Sequence, residues 1–426
     1  HDSHDLQGTF HLDPAMPTAA DPKIRRWLKN RIGAGVRLGL STCEQMLERL
    51  GNPQSSFPSI HVAGTNGKGS LCANLSALGA QNGLLVGLFT SPHLILVEER
   101  VRIDGMPIEP AKLDLFLQEV REASNLEPKI HPTYFEATFL ASMLAFADAG
   151  IDRAVIETGL GGRLDSTRLV EADLCVITTI SLDHTEMLGN TVAQIASEKA
   201  GIHREGVPLV CLHHEDDSVR HAIESIAGHD AVWVRTDSID AQGVSKELAN
   251  ELGHRLGWGE LDSEIRWTGR TSDPVNWLDV ECQLSGAHNA ESLAHDLRQL
   301  GGTSHVLILG MTHKEDLEAT MTPLSDSSGR VHSIVTQVNG GRKPSTPPEA
   351  LADGLSKLGG PQSEIVPDPF AAMDRAAEVA KKHGCGIFVT GSIYLVGAIL
   401  AESARRDGSD IWTELVVHPP RSRTEG

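Results

Sequence analysis

The segment HVAGTNGKGS, residues 61–70, combines residue types that suit the binding of nucleotide phosphates. A strand-like run precedes the glycines, and a helix-like apolar stripe that includes Leu71 and Leu75 follows them. Glycines let backbone N–H groups approach an anion, Lys68 adds a positive charge, and a helix N-terminus adds its dipole. The spacing departs from the GxxxxGKS/T pattern, because Gly69 directly follows Lys68. We predict a phosphate-binding loop formed by Gly64, Thr65, Asn66, Gly67, Lys68, Gly69 and Ser70.

Oxygen ligands for a divalent cation are expected near such a loop, because nucleoside triphosphates bind together with Mg²⁺. The carboxyl ends of parallel strands meet at one edge of a sheet, so polar residues that follow strands converge there. Ser91 follows the strand-like run LLVGLF, and Glu157 closes the run RAVIE. Asp183 and His184 follow the run LCVITTI. A single glutamate at a strand end is more often structural than functional, but the shared location of these residues favours a metal site that includes Glu157 and His184.

Lys199 lies in a predicted helix over 191–200, which Thr191 and Gln194 would begin as a capping box. The lysine falls on the same face as Ile195, within the apolar stripe of that helix. One interpretation is a packed carbon chain whose ammonium group reaches solvent near the negative helix end. The other is a desolvated, neutral amine that reacts with CO₂ to form a carbamate, which would turn a cation into a metal-binding carboxylate. The residues alone leave both interpretations open.

The elements that would position these residues alternate between short apolar runs and longer helix-like stretches. This alternation is typical of buried parallel strands joined by helices, and it predicts an α/β fold. A polar stretch over 212–268 interrupts the pattern, which then restarts, so we expect one domain over 21–265 and a second over 266–405. Residues 1–20 are expected to be a flexible tail and residues 406–426 a loose end. The strand-like runs are SIHVA (59–63), LLVGLF (84–89), RAVIE (153–157), LCVITTI (174–180), VPLVC (207–211), LDVECQL (278–284), HVLILG (305–310), HSIVTQV (332–338) and GIFVT (386–390).

Composition narrows the classes of partner. Acidic side chains outnumber basic ones by 57 to 37 over 426 residues, which gives a net charge of −20 and opposes binding to nucleic acid or anionic membranes. No apolar run reaches the roughly 20 residues that span a bilayer, and the polar start shows no signal peptide. Six scattered cysteines without a CxxC pair indicate free thiols in a reducing compartment. We therefore expect a cytoplasmic protein without nucleic-acid or membrane partners.

Several of these motifs, in their order along the chain, resemble the folylpolyglutamate synthase/dihydrofolate synthase family, within the Mur-type ATP-dependent amide ligases. The resemblance covers roughly residues 23–400 and implies a P-loop parallel-sheet ATP-binding domain followed by a smaller Rossmann-like C-terminal domain. The stretches that carry it are IHVAGTNGKGS (60–70), TSPHL (90–94), FEATFLASMLAF (135–146), ETGLGGRLDST (157–167), ISLDHTEMLGNTVAQIASEKAGI (180–202), GAHN (286–289) and VTGSIYLVG (389–397).

The resemblance implies roles for the phosphate and metal residues. Lys68 and its loop would hold the β- and γ-phosphates of ATP. Ser91, Glu157 and His184 would ligate Mg²⁺, with Glu157 between two ions. Lys199 would be carbamylated beside the second ion. Lys68, His184 and Lys199 are thus the expected catalytic residues, and a monovalent cation is left open as a further cofactor.

The resemblance also implies residues for the substrates. Asp165 and Arg163 belong to the GGRLD loop, which such enzymes place near the pterin. Arg270, His288 and Asn289 match segments that contribute to the nucleotide and amino-acid sites.

The sequence departs from the family pattern at a few places. Arg168 stands where GGRLDATN would have its Asn, and Ser285 stands where DGAHN would have its Asp. An HQ…N motif is not apparent in 212–268, and the Asp-Lys-Asp stretch is represented only by residues 313–316. If Ser285 is a neutral replacement, the change Ser285→Asp should be tolerated and should raise activity. If Ser285 matches an altered substrate, the same change should depress turnover of the native acceptor.

The expected activity is ATP-dependent ligation of L-glutamate to a pteroate or folate carboxylate through an acyl phosphate, by an enzyme that acts as a monomer. Two alternatives stay open: another ligase of the Mur superfamily with a different carboxylate acceptor, and a nucleotide-binding homologue with reduced ligase activity. A P-loop GTPase or kinase is disfavoured, because GKGS does not fit their spacing and the second domain would have no role.

Overall fold

The computed structural model describes residues 20–35, 37–269, 274–326, 328–341, 343–360 and 362–420. Residues 1–19, which make up most of the predicted flexible tail, lie outside these ranges. The described chain forms two sheets, and each sheet has a hydrophobic cluster on either face.

The first sheet and its helices occupy the N-terminal part of the chain. Its strands are β1 (Ser59–Ala63), β2 (Val86–Phe89), β3 (Val101–Ile103), β4 (Met106–Pro107), β5 (Arg153–Glu157), β6 (Ala172–Ile177), β7 (Leu209–Leu212) and β8 (Ala231–Val234). The helices are α1 (Pro22–Lys29), α2 (Ser41–Arg49), α3 (Lys68–Gln81), α4 (Pro110–Asn125), α5 (Tyr134–Ala149), α6 (Thr185–Leu188), α7 (Val192–Ala200), α8 (Asp217–Ala227) and α9 (Ala241–Leu256).

The strand order of the first sheet is β4-β3-β2-β5-β1-β6-β7-β8. All neighbours from β2 to β8 are parallel, whereas β3 and β4 add an antiparallel edge next to β2. Every residue of β1 is buried, because helices cover both faces of a parallel sheet. Since β1 lies between β5 and β6, the loop that follows β1 has the ends of two further strands beside it.

The second sheet has the strand order β13-β12-β11-β14-β10-β9 and is parallel except for the pair β9 and β10. Its strands are β9 (Val275–Trp277), β10 (Val280–Leu284), β11 (His305–Leu309), β12 (Arg330–Val335), β13 (Ser363–Ile365) and β14 (Gly386–Thr390). The helices that follow are α10 (Ala290–Leu300), α11 (Leu317–Met321), α12 (Pro348–Lys357), α13 (Pro369–His383), α14 (Ile393–Asp407) and α15 (Ile411–Glu414). Two parallel-dominated sheets in sequence confirm the predicted α/β class.

The polar stretch 212–268 forms regular helices and a strand, although the sequence suggested that it interrupts the α/β pattern. It contains α8, β8 and α9, and β8 extends the first sheet beyond β7. Leu248 and Leu252 of α9 join the hydrophobic cluster that also holds Leu71 and Leu75 of α3. The stretch is therefore a full part of the first domain.

The C-terminal segment is bound to the first domain, so the expectation of a loose end from residue 406 is wrong for residues 411–418. Leu415 and Val417 are buried, and the N–H of Val417 donates a hydrogen bond to the Gly105 carbonyl at 2.9 Å. Arg102 donates to the Leu415 carbonyl at 3.4 Å. These contacts join sequence-distant segments, which a local pattern does not reveal. We call residues 411–418 the C-terminal strap.

Two further observations concern the whole described chain. Among the described helices, none combines the length and apolar character needed to cross a bilayer. Each of the six cysteines lies in a described range and is free, as the scattered spacing predicted.

Candidate functional site

The predicted phosphate-binding loop joins the end of β1 to the start of α3. Gly67 is the N-cap of α3 with a φ of 82°, and the helix runs for 14 residues from Lys68. Gly64 has a φ of 148°, and a Cβ atom placed on it would lie 1.8 Å from Oγ1 of Thr178. That hydroxyl donates a hydrogen bond to the Asn66 carbonyl at 2.7 Å. The close approach explains the glycine, and the N–H groups of the first turn of α3 form an end suited to an anion.

Two lysines meet at one carbonyl of this loop. Nζ of Lys68 donates to the Gly64 carbonyl at 3.0 Å and to the Thr65 carbonyl at 3.1 Å. Nζ of Lys199 donates to the same Gly64 carbonyl at 2.7 Å. The loop therefore has a positive charge in its own sequence and a second amine supplied by α7.

Lys199 is buried on the apolar face of α7, as the sequence predicted, and is only 5% exposed. The predicted capping box of Thr191 and Gln194 starts this helix. The pKa of Lys199 is lowered to about 7, chiefly by burial and also by repulsion from Lys68, while attraction from Asp183 and Asp165 partly opposes these effects. A substantial fraction of this amine is consequently neutral near pH 7.

Ser91 and Glu157 meet where β2 and β5 end. The N–H of Ser91 donates to Oε2 of Glu157 at 2.8 Å, and the glutamate is 5% exposed. Its other oxygen, Oε1, lies 3.7 Å from the position that a Cβ on Gly69 would occupy. The carboxylate thus faces the first turn of α3, where nucleotide phosphates would bind.

His184 is the N-cap residue of α6 and has a φ of 51°. Its imidazole lies 3.9 Å from Asp183 and 4.0 Å from Glu186. Burial lowers the pKa of His184 in spite of these two carboxylates, and the charges of Lys199 and Lys68 act in the same direction as burial. The ring is therefore held in the neutral form in which histidine binds metals.

The predicted metal ligands form a sparse set. Within the ranges that the structure covers, no group of three or more His, Cys, Asp and Glu side chains is arranged to hold a metal ion. Ser91, Glu157 and His184 offer one hydroxyl, one carboxylate and one imidazole. Mg²⁺ suits such a set, because it keeps several waters and takes ligands from substrate phosphates. The residues fit a magnesium ion that a nucleotide helps to hold.

The second domain reaches the phosphate loop through the start of α10. Nδ2 of Asn66 donates to Glu291 at 2.5 Å, and Nδ2 of Asn289 donates to Oδ1 of Asn66 at 3.0 Å. The hydroxyl of Ser181 also donates to Glu291, at 2.7 Å. Asn289 at the same time caps α10 by accepting from the Ser292 N–H at 2.9 Å. The loop is consequently shared by both domains.

A cavity of about 630 Å³ lies between the domains beside this contact. This volume falls within the range of small-molecule sites, roughly 300–1,000 Å³. Gln242 and Ser245, in the first turns of α9, also line the cavity, and sequence reasoning did not select them. The lining includes Asn66, Gly67, Ser70, Thr178, His213, Arg235, Gln242, Ser245, Ser285, His288, Glu291 and Asp296.

Comparison with known proteins agrees with this arrangement. The Mur ligase middle domain family matches residues 62–291. The dihydrofolate synthetase of Saccharomyces cerevisiae is 30% identical over 419 residues, which cover 86% of this chain and 97% of that protein. The chain belongs to the folylpolyglutamate synthase/dihydrofolate synthase family. Membership confirms the predicted family and enzyme class, an ATP-dependent ligase.

Solved structures of this family share the fold. Escherichia coli FolC in complex with DHPP and ADP has a TM-score of 0.75 and 26% sequence identity, and the match covers 92% of this chain and 100% of that one. The bifunctional folylpolyglutamate synthase/dihydrofolate synthase of Yersinia pestis, complexed with AMPPNP and Mn ion, has a TM-score of 0.75 and 26% identity, with 91% and 99% covered.

Ser285 differs from the acidic residue usual in this family, and the structure shows its contacts. Its hydroxyl donates to the carboxylate of Asp296 and accepts from the Ala287 N–H at 3.0 Å. A carboxylate therefore stands next to this position, supplied by α10 instead of by the GAHN motif.

Two other departures from the family pattern also have structural partners. Arg168 donates to the Gly201 carbonyl at 2.9 Å and the His203 carbonyl at 2.8 Å, so it fastens its loop to the end of α7. Lys314, from the stretch in place of Asp-Lys-Asp, lies near Asp183. Burial lowers the pKa of Lys314, and the Asp183 charge opposes that effect.

Two of the residues predicted to contact the substrates are bonded to other parts of the protein in this structure. Asp165 accepts hydrogen bonds from the Leu160 N–H at 2.8 Å and the Thr167 N–H at 3.0 Å, so its carboxylate orders its own loop. Arg163 forms an ion pair with Glu198 at 2.8 Å. Contact of Asp165 and Arg163 with a substrate stays a prediction. Arg270 lies outside the described residues.

Proposed function

We propose that the chain joins L-glutamate to a pteroate- or folate-type carboxylate at the expense of ATP. The observation that carries this proposal is the meeting of both domains over the phosphate loop, where Asn66 is bonded to Glu291 and Asn289. A ligase must hold a phosphoryl donor, a carboxylate and an amine together, and a cavity shared by two domains provides this arrangement. We place the division between the domains near residue 265.

The proposed reaction has two steps. A carboxylate oxygen of the acceptor attacks the γ-phosphorus of ATP, the bond to the bridging oxygen breaks, and ADP leaves. The α-amine of glutamate then attacks the acyl carbon and loses a proton, and the bond to phosphate breaks to release inorganic phosphate.

The residues of the loop stabilise the charge that this transfer generates. The first-turn N–H groups of α3 would bind phosphate oxygens, and Lys68 would exchange its bonds to the Gly64 and Thr65 carbonyls for a phosphate oxygen. The position of the site between two domains would limit the access of water to the acyl phosphate.

We propose that Ser91, Glu157 and His184 hold Mg²⁺ with the help of the nucleotide. Bound there, the ion would neutralise charge on the phosphoryl oxygens. The N–H of Ser91 fixes Glu157 through Oε2, which leaves Oε1 on the side of α3. Our proposal covers one or two such ions and leaves a monovalent cation open.

We also propose that Lys199 is carbamylated in the active enzyme. Its lowered pKa supports this proposal, because only the neutral amine reacts with CO₂, with loss of one proton. A carbamate would exchange a buried cation for an oxygen ligand of the kind Mg²⁺ prefers.

The decisive experiment measures ADP release from ATP with dihydropteroate, dihydrofolate or other carboxylates, each with and without L-glutamate, and identifies the products by mass. We expect turnover only when both substrates are present, and a product that is heavier by one glutamyl residue. Lys68→Ala serves as the site control and should lose more than about nine-tenths of the rate, a change above about 1.4 kcal/mol. The proposal would be contradicted by ADP release that does not depend on L-glutamate, or by turnover only with carboxylates of another class. Sedimentation at working concentration tests the proposed monomer.

A further inference from the structure

Trp267 lies in the segment that joins the two domains, and its ring packs on the first turn of α3. A Cβ atom placed on Gly69 would be 3.5 Å from both Nε1 and Cζ2 of this indole. The same position is 3.7 Å from Oε1 of Glu157. The indole N–H and the glutamate oxygen therefore flank the same helical turn, the one that begins the phosphate site.

The indole N–H of Trp267 has no partner among the described residues, although it is buried. A buried donor without an acceptor is unfavourable, because it has lost its hydrogen bonds to water and has gained none within the protein. An acceptor absent from the protein chain, such as water or a ligand oxygen, would remove this cost.

A small cavity provides the space for that acceptor. It measures about 20 Å³ and is lined by Gly69, Thr90, Glu157 and Trp267, among others. A water molecule needs about 10–15 Å³ and two or more polar partners, so the cavity has room for one water and for no larger ligand.

The ring of Trp267 is held firmly in this position. The guanidinium of Arg102 stacks on it, 4.9 Å from the ring centre. Arg102 is itself fixed by hydrogen bonds to the Thr90 hydroxyl at 3.3 Å and the Leu415 carbonyl at 3.4 Å. The direction of the indole N–H is consequently set by the first domain and by the C-terminal strap.

We propose that Trp267 is a positioning residue for the metal site: its indole N–H binds a water in the small cavity, and this water orients the Glu157 carboxylate toward the nucleotide-bound cation. Oε2 of Glu157 accepts from the Ser91 N–H at 2.8 Å, and the water would act on the other oxygen, Oε1, on the side of Trp267. The inference rests on the proposed function, since it concerns the same divalent cation.

Trp267→Phe tests the proposal, because it keeps a ring on Gly69 and removes only the N–H. The full-length protein is titrated with Mn²⁺ in the presence of AMPPNP, and free Mn²⁺ is followed by electron paramagnetic resonance. We expect the apparent dissociation constant for Mn²⁺ to rise about three- to tenfold, as expected for one lost hydrogen bond. Binding of AMPPNP without metal should equal that of the wild type.

The chain offers a matched control at the other end of the same helix. A Cβ atom on Gly79 would lie 3.6 Å from the ring of Trp258, so Trp258→Phe makes the same change far from the metal site. This variant should bind Mn²⁺ like the wild type. Paramagnetic Mn²⁺ should also quench tryptophan emission in Trp258→Phe more strongly than in Trp267→Phe.

The outcomes separate this inference from the proposed function. An unchanged Mn²⁺ affinity in Trp267→Phe, or an equal loss in both variants, would overturn the role of Trp267 while wild-type binding stands. Failure of the wild type to bind AMPPNP and Mn²⁺ would overturn both.

Discussion

Lys199 and Gly64 are 135 residues apart in the chain, yet Nζ of Lys199 donates a hydrogen bond of 2.7 Å to the Gly64 carbonyl. The bond connects α7 to the first residue of the phosphate loop inside the protein. Because the amine is buried, its protonation or modification changes the environment of the loop directly.

Replacement of Lys199 should show whether the active enzyme needs a carbamate at this position or only a positive charge. Lys199→Ala is expected to be nearly inactive, with a loss of about 100-fold or more in kcat. Lys199→Arg should not restore activity, because a guanidinium cannot form the carbamate. Acetate at high concentration should partly restore the Ala variant. Intact mass in bicarbonate should show one added CO₂ on the wild type only. An active Arg variant would contradict the carbamate.

The stability of the unmodified protein should depend on pH through Lys199. Its pKa falls from an ordinary 10.5 to about 7 on folding, so between these values the unfolded chain binds a proton that the folded chain does not. The free energy of unfolding of the wild type should therefore rise with pH across this window, by up to about 1.4 kcal/mol per pH unit. Urea unfolding in CO₂-free buffer, with Lys199→Met as the reference, measures the effect. A difference between the two proteins that stays constant with pH would refute it.

Gly64→Ala should disrupt the phosphate loop. The new Cβ would lie 1.8 Å from Oγ1 of Thr178, and the φ of 148° disfavours a side chain independently. We expect a loss of more than about 3 kcal/mol in the free energy of unfolding, together with loss of nucleotide binding. Gly150→Ala is the control: its φ is 60°, but no atom lies within 4 Å of the new Cβ, so only backbone strain of about 1–2 kcal/mol should appear. Equal effects of the two changes in thermal unfolding would argue against steric conflict at Thr178.

Ser285→Asp should impair the protein, which reverses the expectation from the family pattern. Ser285 donates to the Asp296 carboxylate, so an aspartate there would bring two carboxylates together and force one to take a proton. The melting temperature and the apparent affinity for ATP should therefore fall more at pH 8 than at pH 6. Ser285→Asn, which can both donate to Asp296 and accept from the Ala287 N–H, should keep both properties. Full activity of the Asp variant at pH 8 would refute this prediction.

The phosphate loop and the central strands could be predicted from the sequence, because local residue patterns determine them. The bounds of β1, β5 and β14 coincide with the predicted runs, since buried parallel strands are continuous apolar segments between polar ends. The capping box at Thr191 was equally readable, because its two residues are three positions apart.

Other parts of the fold and of the site could not be predicted, because they depend on contacts between segments that are distant in the sequence. Gln242 and Ser245 reach the cavity because α9 packs on α3, a contact between segments about 170 residues apart that no local pattern shows. The carboxylate of Asp296, on α10, lies beside Ser285, the position where the family motif has an aspartate. The segment IWTELVV around Leu415 is largely apolar, but a local pattern does not show what it packs against, because its partners lie about 300 residues earlier in the chain.

The C-terminal strap gives the molecule a second covalent crossing between its domains. The first crossing carries Thr268, and the strap carries Glu414, whose carbonyl accepts a hydrogen bond from the Thr268 hydroxyl. Arg266 of the first crossing also forms an ion pair with Glu414. Two adjacent crossings permit rotation about the line that passes through both, but they restrict twist and translation of one domain against the other. The contact between Asn66 and Asn289 is therefore expected to open and close along a single angular coordinate, and the strap reduces the number of ways in which the two halves can misalign.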